Sequence, residues 1–144
     1  MRGLRFVPYH RLGELPNVIV DGSPTPSTVL TLSHWPGSPT PHDLLDDLSA
    51  QIAFHALDRP ELFEGIGAVS NNHLDQDGLA SAYALVAPDD ARTRRAALID
   101  LARAGDFAGY YLGNRRAYSG LEGMIGLAIG GAQVSVTPDG LLAS

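Results

Sequence analysis

Residues 65–87 read GIGAVSNNHLDQDGLASAYALVA, and this stretch predicts the fold of the chain. Its first part, GIGAVSN (65–71), is a short apolar run of the kind that forms a buried strand. Its last part, DGLASAYALVA (77–87), is apolar and follows a glycine turn, which predicts a helix. A strand that passes directly into a helix is typical of α/β domains with a parallel sheet.

Other segments fit the same architecture. Two further strands are predicted at NVIVDG (17–22) and TVLTLS (28–33), since both are rich in β-branched residues. A helix is predicted from Thr40, as its N-cap, and Pro41, at its first position, to residue 57, with Pro60 beyond its end. A second helix is predicted over residues 89–104 and ends at Gly105. Residues 1–16 are expected to be irregular.

Strands alternating with helices predict an α/β fold: one domain, residues 1–116, with a mostly parallel sheet flanked by helices. Residues 117–144 contain no basic residue and are rich in glycine. We expect them to form a separate C-terminal tail. It is either an edge hairpin, with QVSVT as a strand and PDG as a turn, or a region that lacks its usual continuation.

Composition excludes several classes of function. The net charge is −6 and the pI is about 5.1, which argues against binding of long nucleic acids. The chain has no cysteine, and all ten basic residues are arginine, so thiolate ligands, cysteine nucleophiles and Schiff-base lysines are absent. Neither a signal peptide nor an apolar stretch of membrane-spanning length is present, and we predict a cytoplasmic protein with no membrane partner.

The segment between the strand and the helix carries the most informative side chains. His73, Asp75 and Asp77 alternate, and alternate residues of an extended segment point to the same side. Carboxylates held so close repel each other unless one is protonated or a cation is bound. Oxygen ligands with one imidazole suit Mn²⁺ or Mg²⁺. The alternative is that Asp77 is only the N-cap of the following helix, and the residues alone leave the two interpretations equally weighted.

Three more residues are candidates by position. Asp21 follows one predicted strand and His34 follows another, and ligands of parallel sheets gather beyond the carboxyl ends of the strands. An aspartate in the setting of Asp21 is more often a turn residue than a ligand, whereas His34 is equally typical of a buried, hydrogen-bonded histidine. Asp106 follows the predicted end of a helix, where a carboxylate is unfavourable, which makes it a candidate catalytic residue.

The motif HLDQDGLAS (73–81), placed between a strand and an apolar helix, resembles the first motif of the DHH phosphoesterases. In that superfamily, a histidine and two aspartates of this motif bind a pair of Mn²⁺ or Mg²⁺ ions that activate a water for phosphoester hydrolysis. The Asp-His-His triplet of that superfamily is absent here. The resemblance therefore implies a permuted order in which Asp21 and His34 join His73, Asp75 and Asp77 as metal ligands, with His34 as a ligand or as the acid for the leaving group.

Residues 5–110 also resemble an uncharacterised bacterial family, through FVPYHRLG, LSHWPGSPTP and ARAGDF.

Together these observations predict a metal-dependent phosphoesterase that hydrolyses a small nucleotide-like phosphoester with Mn²⁺ or Mg²⁺. One alternative is a metal- or nucleotide-binding module without catalysis. The other is a structural domain in which the aspartates are a cap and a turn and the apolar tail is an interface. The sequence leaves the oligomeric state open.

Overall fold

A four-stranded parallel sheet lies at the centre of the molecule. The structure, a computed structural model, describes residues 1–107, 115–130, 134–137 and 140–143, with side chains for residues 1–104 and 120–129. The strands are β1 (Arg5–Phe6), β2 (Asn17–Val20), β3 (Thr28–Leu32) and β4 (Ala68–Ser70). They pair in the order β1-β4-β2-β3, and every pair is parallel. The predicted single α/β domain with a parallel sheet is confirmed.

Among the described residues, five α-helices accompany the sheet: α1 (Ser49–Leu57), α2 (Gln76–Val86), α3 (Pro88–Thr93), α4 (Arg95–Phe107) and α5 (Arg115–Gly130). Helix α2 is central, because α1, α4 and α5 all pack against it. Short 3₁₀ turns occupy Tyr9–Arg11, His42–Leu44 and Pro60–Phe63. In the described part of the chain, no helix combines the length and the apolar character that crossing a bilayer requires.

Strand β2 is buried on both faces of the sheet. Val18 and Val20 of β2 join the large core that the sheet shares with the helices, while Ile19 packs on the other face with Val7 and Leu12. Side chains of a strand alternate between faces, so a strand buried on both faces needs a continuous apolar run, which VIV (18–20) supplies. The first residue of β2, Asn17, is also buried, and its side-chain amide is satisfied by hydrogen bonds.

The predicted start of the first long helix is wrong. Helix α1 begins at Ser49, and Thr40 is not its N-cap. The Thr40 hydroxyl instead donates to the carbonyl of Ser33 and accepts the Ser33 N–H, both at 2.9 Å. The side chain that was expected to cap a helix therefore closes the loop after β3. Pro41 precedes only a short 3₁₀ turn.

Two other boundaries differ from the prediction. The helix expected over residues 89–104 is divided at Arg94 into α3 and α4. Helix α4 then continues through Gly105 to Phe107, so Asp106 lies in its last turn rather than after its end.

Some elements were not indicated by the sequence. The irregular N-terminal segment contains β1, which pairs with β4. Helix α5 begins at Arg115, next to the expected domain boundary, and runs into the glycine-rich tail. The strand expected within QVSVT is present, by contrast, as β5 (Val134–Thr137), which pairs antiparallel with β6 (Gly140–Ala143). This pair is separate from the main sheet, so it is not an edge of that sheet. Residues 138–139 of the expected PDG turn lie outside the described residues.

Candidate metal centre

Five of the predicted site residues meet at the carboxyl edge of the sheet. Asp21 directly follows β2, His34 comes two residues after β3, and His73, Asp75 and Asp77 follow β4. Strands β4, β2 and β3 are neighbours in the sheet, so these three loops lie side by side. The convergence that was inferred from a parallel sheet is therefore present in the structure.

The five side chains form two groups that share one residue. Asp21, His34 and Asp77 make the first group, and Asp21, His73 and Asp75 make the second. Within each group the candidate ligand atoms all lie within 4.8 Å of one another. We call these groups the inner triad and the outer triad, because Asp77 is fully buried whereas His73 and Asp75 are partly exposed. Asp21 is the member common to both.

Distances within the triads are those of side chains around a common centre. Nε2 of His34 lies 3.5 Å from Oδ1 of Asp21 and 3.4 Å from Oδ2 of Asp77. In the outer triad, Nε2 of His73 lies 3.5 Å from Oδ2 of Asp75. Ligands held roughly 2.0–2.1 Å from Mg²⁺ in an octahedron are about 3 Å apart, so small adjustments would bring either triad around an ion.

Asp21 is held in an unfavourable state. Its φ is +48°, a conformation that aspartate and asparagine tolerate better than most residues. Its side chain is 1% exposed, and Oδ2 receives no hydrogen bond from any donor group among the described residues. Burial raises the pKa of Asp21 to about 10, and the charges of Asp77 and Asp75 add to the effect. Part of the shift comes from a hydrogen bond with Asp75 that requires one of the two carboxyls to be protonated.

Asp77 has a structural partner that the sequence did not indicate. It is not the N-cap of α2, since it lies inside the first turn of that helix. Its carboxylate accepts the backbone N–H of Ser49 at 3.0 Å and of Ala50 at 2.8 Å. These are the first two residues of α1, so Asp77 caps a helix that begins 28 residues before it. A carboxylate is favoured there by the unpaired N–H groups and by the helix dipole.

Asp75 is the N-cap of α2. Its Oδ1 accepts the backbone N–H of Gly78 at 2.8 Å, which leaves Oδ2 toward His73. Gly78 suits this tight turn, because a Cβ there would lie 3.3 Å from Oδ1 of Asp75 and 3.2 Å from Nδ2 of Asn71. The cap of α2 is thus Asp75 and not Asp77, as the alternative interpretation had it, and capping engages only one of the two oxygens of Asp75.

Three residues that the sequence analysis did not single out hold the site together. Asn71 donates from Nδ2 to the carbonyls of Val20 and Asp21, which ties the end of β2 to the loop after β4. Ser49 donates its hydroxyl to Oδ1 of Asp21 at 2.9 Å. The ring of Trp35 lies 4.9 Å from the ring of His73, centroid to centroid. Of these three residues, only Trp35 could have been found from the sequence, because it stands next to the candidate ligand His34.

Asp106, the remaining candidate catalytic residue, lies in the last turn of α4. Its side chain is outside the part of the chain whose side chains the structure describes, and its catalytic role stays a prediction.

The donor set fits a hard or borderline divalent cation. Each triad offers two carboxylates and one imidazole, the ligand chemistry that Mn²⁺ and Mg²⁺ accept. The buried Oδ2 of Asp21 has an unused acceptor that a cation would satisfy. A cation would also offset the cost of burying the charge of Asp21 and the repulsion from Asp77 and Asp75, which together otherwise keep a proton on Asp21.

The fold and the site define an α/β domain with a cluster of carboxylates and imidazoles at the carboxyl edge of its sheet. The chain belongs to a family of unknown function, DUF6687, which matches residues 2–129. Neither the curated proteins nor the solved structures contain a match to the chain. The resemblance to the DHH phosphoesterases therefore rests on the motif of residues 73–81 alone.

The raised pKa of Asp21 predicts the pH dependence of stability in the absence of a cation. The folded state holds the proton of Asp21 more tightly than the unfolded chain, in which the carboxyl has its ordinary pKa of 3.8. The stabilisation is complete below about pH 4 and is lost progressively as the pH rises toward 10. In EDTA, urea unfolding at pH 5, 7 and 9 should give a falling free energy of unfolding. Asp21→Asn, which tolerates the same φ, should flatten the decline, and an equal decline in both proteins would contradict the assignment.

Capping of α1 predicts that Asp77 stabilises the fold even without metal. In EDTA at pH 7, Asp77→Ala should lower the free energy of unfolding by roughly 2–4 kcal/mol, because two buried N–H groups lose their acceptor. Asp75→Ala, which removes the cap of α2 at a partly exposed position, should cost only about 1 kcal/mol. Urea unfolding of both variants checks the difference. A gain in stability for Asp77→Ala would mean that charge repulsion outweighs the cap.

Proposed function

We propose that this protein is a metal-dependent phosphoesterase that hydrolyses a small nucleotide-like phosphoester. The observation that carries the proposal is the position of Asp21 in both triads. A carboxylate shared by two ligand groups is suited to bridge two divalent cations. Pairs of cations about 3.5–4 Å apart are typical of enzymes that cleave phosphoesters.

Mn²⁺ or Mg²⁺ is the proposed cofactor, held by Asp21, His34 and Asp77 on the inner side and by Asp21, His73 and Asp75 on the outer side. Bound there, the cations would supply Lewis acidity toward a phosphoryl oxygen and would lower the pKa of a bound water toward neutrality.

The protein's own residues divide the remaining tasks. His34 has its Nε2 within 3.5 Å of both inner carboxylates, which favours a ligand role over the role of acid for the leaving group. The N-terminus of α2 lies beside the outer triad and would favour an anionic phosphate there. The outer triad is the open side, since the side chains of His73 and Asp75 are 39% and 41% exposed. Substrate would therefore approach from the outer side.

Trp35 supports a substrate with a planar ring. It is the only tryptophan of the chain and is 38% exposed, although large aromatic side chains are usually buried. Its loop is held rigidly by the Ser33–Thr40 hydrogen bonds and by a bond from the Ser38 N–H to the Trp35 carbonyl, at 3.1 Å. A fixed, exposed ring beside the open triad is a suitable surface on which a nucleobase could stack.

Metal binding and turnover test the proposal together. Mn²⁺ at a hundredfold excess over its Kd should stabilise the wild-type protein by roughly 2.7 kcal/mol. The wild type should also hydrolyse thymidine 5′-(p-nitrophenyl) phosphate in Mn²⁺ and not in EDTA. Asp75→Asn should lose most of both effects.

The matched control is Asp89→Asn, which removes an exposed aspartate of α3, beyond the opposite end of α2 from the site. It should behave as the wild type. Stabilisation without turnover would instead indicate a metal-binding module, and the absence of both would leave a structural domain.

The role of Trp35 is tested by comparing two substrates with the same leaving group. Trp35→Leu should lower kcat/KM for the thymidine ester by roughly tenfold, because stacking of one base is worth about 1–3 kcal/mol. It should leave kcat/KM for methyl p-nitrophenyl phosphate nearly unchanged, and Trp35→Phe should retain part of the preference. An equal loss on both substrates would mean that Trp35 acts only by positioning His73.

A further inference from the structure

Ser49 contacts all three residues of the inner triad. Its hydroxyl donates to Oδ1 of Asp21 at 2.9 Å and accepts the backbone N–H of His34 at 3.0 Å. Its own backbone N–H donates to Oδ2 of Asp77 at 3.0 Å. The residue is fully buried at the first position of α1. Its hydroxyl proton and one lone pair are thus both engaged, which fixes the direction in which it donates.

This hydroxyl makes the two oxygens of Asp21 unequal. Oδ1 receives the hydrogen bond from Ser49 and faces the inner triad, where Nε2 of His34 lies 3.5 Å away. Oδ2 is buried and receives no bond from a donor group in the described part of the chain. A carboxylate that is held through one oxygen cannot rotate freely about its bond to Cβ. Oδ2 is therefore kept available for a different partner.

We propose that Ser49 is a positioning residue that fixes the Asp21 carboxylate in the orientation needed to bridge two cations. This role rests on the metal binding proposed above. Through Asp21, Ser49 would determine whether the site holds one ion or two. Ser49 would act through Asp21 and touch neither the ions nor the substrate.

Loss of the hydroxyl should therefore affect one ion more than the other. Without Ser49, Asp21 is free to turn both oxygens toward a single ion. Removing a group that orients a metal ligand typically weakens metal binding roughly tenfold to a hundredfold. We expect this loss in the weaker of two binding steps. The more tightly bound ion should keep its other ligands. The backbone N–H groups at the start of α1 also stay in place when Ser49 is changed to alanine.

Direct counting of bound Mn²⁺ tests the inference. Equilibrium dialysis, with free Mn²⁺ measured by electron paramagnetic resonance, gives the number of ions and their affinities without any substrate. The variants are Ser49→Ala, Ser49→Thr and the matched control Ser81→Ala. Ser81 is also a fully buried serine, but its hydroxyl donates to the backbone carbonyl of Asp77, at 2.6 Å, and not to a carboxylate.

The expected result is two ions for the wild type and for Ser81→Ala, and a second step weakened at least tenfold in Ser49→Ala. Ser49→Thr should restore the second ion while lowering the melting temperature in EDTA, because its extra methyl enters a packed site. Metal count and stability then change independently, which a merely structural role of Ser49 would not produce.

Other outcomes would overturn the inference in distinguishable ways. Two ions with wild-type affinities in Ser49→Ala would remove Ser49 from the argument and leave the proposed function intact. A single ion in the wild type would show that Asp21 is not shared between two cations. No bound Mn²⁺ in the wild type would overturn both the inference and the proposed function.

Discussion

Three carboxylates share one edge of the sheet, and the need to accommodate their charge explains much of the surrounding structure. Each aspartate meets this need in a different way. Asp77 is neutralised in part by the N-terminus of α1, and Asp75 accepts the N–H of Gly78 in the first turn of α2. Asp21 accepts the Ser49 hydroxyl and shares with Asp75 a hydrogen bond that requires a proton on one of the two carboxyls, and without a cation burial raises the pKa of Asp21 to about 10. The unfavourable state is thus concentrated in the residue that belongs to both triads.

Hydrogen bonds connect the loops that carry these residues to one another. Asn71 joins the loop after β4 to the end of β2, and Ser23 donates its N–H to Asn72 across the same gap, at 3.1 Å. A Cβ at Gly22 would lie 2.0 Å from Oδ1 of Asn72, so a larger residue there would displace this side chain and break its hydrogen bond with Ser23. These bonds fix the loops that carry the candidate ligands, so the proposed binding of a cation would demand little rearrangement of the backbone.

The sequence predicted the parts of the fold that depend on local patterns. The run VIV (18–20) lies in β2, a central strand that is buried on both faces and therefore requires continuous apolar residues, a pattern visible in the chain. TVLTL forms β3 at the edge of the sheet, where its β-branched residues favour a strand and Val29 is exposed. The convergence of Asp21, His34 and the residues after β4 followed from the same sheet. Their roles as metal ligands stay a prediction.

Predictions from the sequence failed where a side chain forms long-range hydrogen bonds instead of local ones. Thr40 looked like a helix cap, but its hydroxyl bonds to the backbone of Ser33. Asp77 looked like the cap of the helix that follows it, but it caps α1. Helix α5 contains several glycines and has low intrinsic propensity, and its packing against α2 supplies what the sequence does not show. Ser49 was overlooked because a start at Thr40 placed it in the interior of a helix.

The attachment of Asp77 to α1 changes how other members of the family should be interpreted. An aspartate at this position keeps a helix in place, so a relative without the proposed metal binding would still have reason to retain it. His73 and the outer oxygen of Asp75 have far fewer structural duties. Their presence or replacement in a relative is therefore the more informative marker of whether that protein binds a cation.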